Sequence, residues 1–196
     1  PVTFNISPAL MDAAVTRATK AVVPVHLFGQ TADMPAIMQV ARDHSLAVVE
    51  DAAQAIGSAY DGRAAGNWGD IGCLSFYPTK NLGGFGDGGM KVTSDEAMAE
   101  RLKTLRVHGM QPRNYHEELG NNSRLDAHQA PVLNVKLANV ASWTARRQQL
   151  AKGYCELLRE AGLDQHLTLP QAVPHTTHVW NQFTIRVADG KRDSLR

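Results

Sequence analysis

The chain has 196 residues, 43% hydrophobic and 20% charged, with 20 Lys and Arg against 19 Asp and Glu. That length accommodates one sizeable core or a domain and a half, and the balanced charge gives no support to a general nucleic-acid or membrane-surface binder. Cys73 and Cys155 form no C-x-x-C pair, which argues against a zinc ribbon or a disulfide framework, and no apolar run approaches a membrane span.

Residues 21–27 are short, apolar and rich in valine, so they read as a buried strand. A helix follows, with Asp33 as N-cap, Pro35 in the first turn, and Met34, Ile37, Met38 and Ala41 on one face. Residues 46–50 form a second expected strand, 72–77 a third and 89–93 a fourth. Ser94 is expected to cap the next helix, whose stripe is Met98, Leu102 and Leu105. Residues 107–124 are polar and read as a long loop, a length that is often functional. Leu133, Leu137 and Val140 mark one further helix, and Leu150, Tyr154, Leu157 and Leu158 another. Residues 180–187 alternate and read as a strand of a second domain. Strands alternating with helices predict an α/β fold with a mostly parallel sheet. The chain begins at Pro1 without Met and ends in residues 191–196, which resemble a first helical turn, so a piece of a longer protein is expected. No signal peptide is evident. The two cysteines are expected to be buried thiols in a reducing, cytoplasmic setting.

Two strand ends carry the candidate chemistry. Ligands of open α/β sheets bind beyond the carboxyl ends of strands. Glu50 and Asp51 lie at one such end, where a carboxylate needs a cation or donors, or else simply caps the next turn. Ser75 lies at another, followed by a Pro-Thr turn and Lys80. The next nine residues, Asn81-Leu-Gly-Gly-Phe-Gly-Asp-Gly-Gly89, hold five glycines, which suits close backbone approach to a ligand or a run of turns. Taken singly, Lys80 reads equally as a solvated loop lysine. His26 reads as a satisfied core or subunit-contact histidine, and Trp68 as packing. His175-Thr-Thr-His178 lacks a third ligand and reads as a surface loop, so no metal site is expected.

Together these pieces are more specific. The chain resembles the DegT/DnrJ/EryC1/StrS family of sugar aminotransferases. The resemblance rests on Pro24-Val-His-Leu-Phe-Gly29, Glu50-Asp-Ala-Ala-Gln-Ala55, Gly69-Asp-Ile-Gly-Cys-Leu-Ser-Phe-Tyr-Pro-Thr-Lys-Asn-Leu82, Gly86-Asp-Gly-Gly-Met90, Leu105-Arg-Val-His-Gly109 and Gly120-Asn-Asn-Ser-Arg-Leu-Asp126. It implies a type I aminotransferase fold: an α/β large domain over residues 1–140 and the start of a small C-terminal α+β domain over 141–196, both partial. It implies pyridoxal 5′-phosphate as cofactor, with Lys80 forming the imine and moving protons. Asp51 would pair with the pyridinium nitrogen, Ala53 would lie against the ring, Gln54 would bond near the phenolic oxygen, and Ser75 would bind the phosphate. Asn122 would reach the phosphate in a neighbouring subunit, which requires a homodimer with shared active sites. The implied partners are a nucleotide-linked keto sugar and an amino-acid donor, glutamate being usual, with neither nucleic acid nor membrane involved. Antibiotic-sugar, surface polysaccharide and lipopolysaccharide biosynthesis all fit. Relatives that dehydrate sugars replace the lysine with histidine, so Lys80 disfavours that reading. A non-enzymatic binding module is the other alternative, because the resemblance implies that phosphate donors and an aromatic ring cover lie outside these residues. Weak or absent catalysis is expected of the 196 residues alone.

Overall fold

The computed structural model describes residues 3–188 and 190–195. Helix α1 (Pro8–Ala14) precedes strand β1 (Ala21–Val22), a 3-10 turn (Leu27–Gly29) and helix α2 (Met34–Asp43). Strand β2 (Ala47–Asp51), a small hairpin of β3 (Ala59–Tyr60) and β4 (Arg63–Ala64), β5 (Ile71–Ser75) and β6 (Gly89–Val92) follow. The remaining elements are α3 (Glu96–Leu105), α4 (Gln129–Leu137), α5 (Val140–Glu160), a second 3-10 turn (Leu163–Gln165), β7 (Leu167–Thr168), β8 (Thr176–Thr177), β9 (Arg186–Val187) and α6 (Arg192–Leu195).

The main sheet has the order β1-β2-β5-β6, with β1, β2 and β5 parallel and β6 antiparallel to β5. The α/β expectation therefore holds, with a mixed but mostly parallel sheet. Strand β1 is shorter than expected. Pro24 has no N–H to give to a ladder, and beyond it only an isolated bridge of Val25 to Asp51 continues the pairing, with Asp51 N–H donating to the Pro24 carbonyl at 2.9 Å and His26 N–H to the Asp51 carbonyl at 3.0 Å. The chain from 180 to 187 is a strand only at Arg186–Val187, paired with β7; the Trp180 amide bonds instead to His178 Nδ1 and the Gln182 amide to the Phe28 carbonyl. Two helix starts also move. Asp95, not Ser94, caps α3 by accepting from Met98 N–H at 2.7 Å, and Val140 begins α5 rather than ending α4. Asp33 caps α2 as expected, accepting from Ala36 N–H.

Helix α2 turns Met34, Ile37 and Ala41 onto Val22 and Val48, with Met11 closing the cluster. A buried Ile or Met side chain contributes about 1.5–3 kcal/mol. A second cluster of Phe76, Leu82, Leu133 and Val140 lies under the glycine-rich loop. Both thiols are only partly buried, which corrects the expectation of buried cysteines.

Strand alternation sends Val48 and Glu50 to one face and Asp51 to the other. The loop at residues 66–69 crosses the Glu50 face so closely that a Cβ on Gly72 would stand 2.1 Å from the Gly66 carbonyl oxygen. Backbone cannot yield there as a flexible side chain could. Gly72→Ala is expected to destabilise the fold by roughly 1–3 kcal/mol, the usual cost of overpacking, measured by urea unfolding. An unchanged midpoint would show that the crossing is looser than this geometry requires.

Candidate active site

Asp51 is the last residue of β2, and its register partner on β5 is Cys73. Ser75 lies two residues further along β5, so Asp51, Cys73 and Ser75 share a face. Asp51 Oδ1 accepts from Ala53 N–H at 3.0 Å. Its other oxygen accepts no hydrogen bond among the described residues and is available to a ligand. Ser75 Oγ accepts from Tyr77 N–H at 3.3 Å, which leaves the hydroxyl proton free to donate. Burial pushes the Cys73 thiol up, with Asp51 and Glu50 adding to it and Lys91 opposing. Cys73 is therefore a protonated neighbour of Asp51, not a nucleophile.

Gln54 is aimed by a residue the sequence does not single out. Phe28 sits at φ 60, a conformation that is unusual for a bulky residue. There its N–H donates to Gln54 Oε1 at 2.7 Å. The amide oxygen is thus occupied, and the Gln54 NH₂ is the end that remains free. Only a hydrogen-bond acceptor suits it. The one local hint is Gly29 at φ 98 beside Phe28.

Lys80 ends a turn in which its N–H donates to the Tyr77 carbonyl at 2.9 Å. The residue is half-buried, and its ammonium makes no ion pair or hydrogen bond among the described residues. The loop after it is held from α4. Gln129, 4% exposed, accepts from Phe85 N–H at 2.8 Å, and Lys136 Nζ donates to the Gly83 carbonyl. Asn122 stands apart: it is exposed, and its Oδ1 accepts from Arg124 Nε at 2.9 Å. No hydrogen bond joins it to Asp51, Gln54, Ser75 or Lys80 among the described residues.

Glu50 is fully buried and accepts four hydrogen bonds. Gly66 N–H (2.8 Å) and His26 Nε2 (2.8 Å) meet Oε2, while Trp68 and Gly69 N–H (both 2.6 Å) meet Oε1. Burial alone would raise its carboxyl, but the His26 bond and the three amides outweigh it, so the group lies below 4.5. His26 uses its other nitrogen, Nδ1, to accept from Ala32 N–H at 3.1 Å. It is a satisfied core histidine with both nitrogens committed. The pair His175 and His178 is split. His175 is exposed beside Asp61 at 2.8 Å. His178 is buried rather than in a surface loop, stacked on Trp180 at 3.9 Å, and burial pushes it down to about 4. A groove of about 770 Å³ runs along β6 to Cys73, and Lys91, Lys103, Arg106 and Arg124 outnumber Asp87 in its lining.

The donor set is therefore a carboxylate, an amide donor, a hydroxyl and an uncommitted amine, gathered around two neighbouring strand ends. Such a set fits a cofactor with a basic ring nitrogen, a phenolic oxygen, a phosphate and a carbonyl that an amine can attack. The model of the DegT/DnrJ/EryC1/StrS aminotransferase family matches residues 1–196. A "Pleiotropic regulatory protein" of Geobacillus stearothermophilus is 52% identical over 196 residues, all of this chain and 52% of that protein. The UDP-N-acetyl-3-dehydro-alpha-D-glucosamine 3-aminotransferase of Acidithiobacillus ferrooxidans is 47% identical over 193 residues, 98% of this chain and 51% of that one. The S. venezuelae protein DesV, solved in complex with a ketimine intermediate, is 47% identical. It superposes with a TM-score of 0.92 over all of this chain and 51% of its own. The chain spans about half the length of the curated relatives it matches.

Proposed function

The chain belongs to the DegT/DnrJ/EryC1/StrS aminotransferase family, and from that premise we propose that it forms the lysine-bearing part of a pyridoxal-phosphate enzyme that aminates a nucleotide-linked keto sugar. The observation that carries this reading is that an uncommitted lysine, Lys80, follows β5, while the strand paired with it, β2, ends in a carboxylate, Asp51, with one free oxygen. The amino donor is an amino acid, glutamate by preference. The exchange is balanced: the donor's amine becomes the sugar's amine, the sugar's carbonyl oxygen leaves as water, and a second water supplies the carbonyl oxygen of the resulting 2-oxo acid.

Bound pyridoxal phosphate supplies an electron-withdrawing ring that stabilises negative charge on the reacting carbon. The chain's own residues set the conditions for that chemistry. Asp51 offers Oδ2 to the ring nitrogen and keeps it protonated through a charge-assisted bond. Gln54 donates its NH₂ toward the phenolic oxygen, since its carbonyl is held by Phe28. Ser75 donates to the phosphate, and Ala53 presents its methyl group beside Asp51. Lys80 would hold the cofactor covalently through its amine and, once released, would take up and return a proton at Nζ. Asn122 is assigned to the phosphate of a second subunit's cofactor, in keeping with its exposure and with the lack of a hydrogen bond to the other groups among the described residues. Residues 1–140 are assigned to the large domain and 141–196 to the start of the small one, in the cytoplasm. The break between α4 and α5 near that boundary supports the division.

The test uses full-length protein mixed with pyridoxal phosphate. Borohydride reduction followed by peptide mass mapping is expected to place the stable adduct on Lys80. Glutamate with a panel of keto sugar nucleotides is then expected to give an amino sugar. Adduct scattered over surface lysines would reject the assignment.

A further inference from the structure

Residues 178–182 touch both halves of the site although they lie about a hundred residues away in sequence. On one side, Val179 N–H donates to the Gly29 carbonyl at 2.8 Å. The space where Gly29 would carry a Cβ is filled by Val179 Cγ2 at 2.8 Å, Asn181 N at 3.0 Å and Gln54 O at 3.1 Å. Gly29 follows Phe28, whose N–H fixes Gln54. On the other side, Asn81 Nδ2 donates to the Val179 carbonyl at 3.0 Å, and Asn181 Nδ2 donates to Asn81 Oδ1 at 2.8 Å. Asn81 is the residue after Lys80, and it is 8% exposed. The segment is itself tied to α5, where Arg147 donates to the Trp180 carbonyl and Gln148 to that of His178, both at 3.1 Å.

We propose that Asn81 and Asn181 are a positioning pair, which aims Lys80 at the Asp51 and Gln54 end of the sheet. The proposal rests on the Lys80 reading given above. Both ends of the Asn81 amide are engaged on the distant segment. Rotating it would strand buried polar groups, which is costly. The Lys80 backbone is consequently clamped from both directions, by its own N–H on Tyr77 and by the amide of its neighbour. The lysine stem is long and flexible, so its reach to a fixed carbonyl depends on where that clamp places its Cα. Gly29, Val179 and Asn181 then carry the same register to Gln54, so amine and amide donor move as one unit. The pair makes no contact with the reacting atoms and acts through Lys80.

The experiment compares unsubstituted full-length protein with Asn81→Ala, Asn181→Ala and the surface control Lys152→Ala. Each is mixed with pyridoxal phosphate, and three quantities are read: the pH midpoint of the visible band, the fraction of borohydride-reduced adduct on Lys80, and the thermal midpoint. Both asparagine variants are expected to lose adduct on Lys80 by roughly tenfold to a hundredfold, the scale of a small misplacement, and to move the pH midpoint by about one unit. Lys152→Ala is expected to match the unsubstituted protein. Asn181→Ser removes the amide donor while keeping a small polar side chain, and it is expected to behave the same way where Asn81→Ala does not fold. Variants with a lower thermal midpoint but an unchanged adduct yield and pH midpoint would reduce the pair to a structural contact and overturn the proposal. Absence of adduct on Lys80 in the unsubstituted protein would overturn the functional reading first, and the pair with it.

Discussion

Lys80→Ala in the full-length protein is expected to lose the borohydride-stable adduct entirely and to bring transamination down to the background rate. The substitution removes the only group assigned to covalent attachment and to proton movement. Stability is expected to stay within about 0.5 kcal/mol of the unsubstituted protein, as for other positions whose side chains carry no structural interaction, because the Lys80 ammonium has no ion pair or hydrogen bond among the described residues. Binding of the cofactor should persist in weakened form, since Asp51, Gln54 and Ser75 remain. Mass mapping and a sugar-nucleotide amination assay check both parts. Substantial turnover by this variant would show that another amine does the work and that the strand-end reading of Lys80 is wrong.

Glu50→Ala carries the largest expected effect on stability. It leaves three amides and the His26 ring without their acceptor in a fully buried position. Removing one partner of a buried, hydrogen-bonded charge costs about 3–5 kcal/mol, and urea unfolding is the measurement. Glu50→Gln keeps the shape but turns NH₂ hydrogens toward donors, so it is also expected to destabilise, by a smaller amount. The pH dependence has a definite sign. The folded carboxyl lies below its ordinary 4.5, so the unfolded chain takes up the proton first. Stability from Glu50 is fully present above pH 4.5 and is lost as pH falls from there through the lower folded value. Urea midpoints between pH 7 and pH 3 should show a decline at the acid end that Glu50→Gln lacks. Identical acid profiles would remove Glu50 from the account of acid unfolding.

Much of the fold and of the chemistry is legible along the chain, and the reason is local. Asp51 and Ser75 stand at the ends of short apolar runs, and a buried strand must stop where its sequence turns polar. The Asp33 cap and the Met34, Ile37 and Ala41 stripe depend only on neighbours within two helical turns. One readable signal is absent from the sequence reading. Asp61 and Gly62 have φ of 44 and 79, the pair of positive values that an Asp-Gly hairpin turn requires, and they join β3 to β4.

Other features have no local signature. The direction of β6, antiparallel to β5, depends on how the glycine-rich loop returns. Residues 180–187 alternate as a strand does, yet only Arg186 and Val187 join a ladder; the Trp180 amide turns to His178 Nδ1 and the Gln182 amide to the distant Phe28 carbonyl. Glu50 reads as a strand-end acid until the 66–69 loop folds over it and supplies three donors. The sequence by itself determined the family and the residue types proposed for the site, because those types are fixed by the chemistry each is assigned. Only the tertiary structure decided which end of Gln54 is free and what holds Lys80 in place. Both depend on hydrogen bonds between segments far apart in the chain, where no periodicity or motif records the contact.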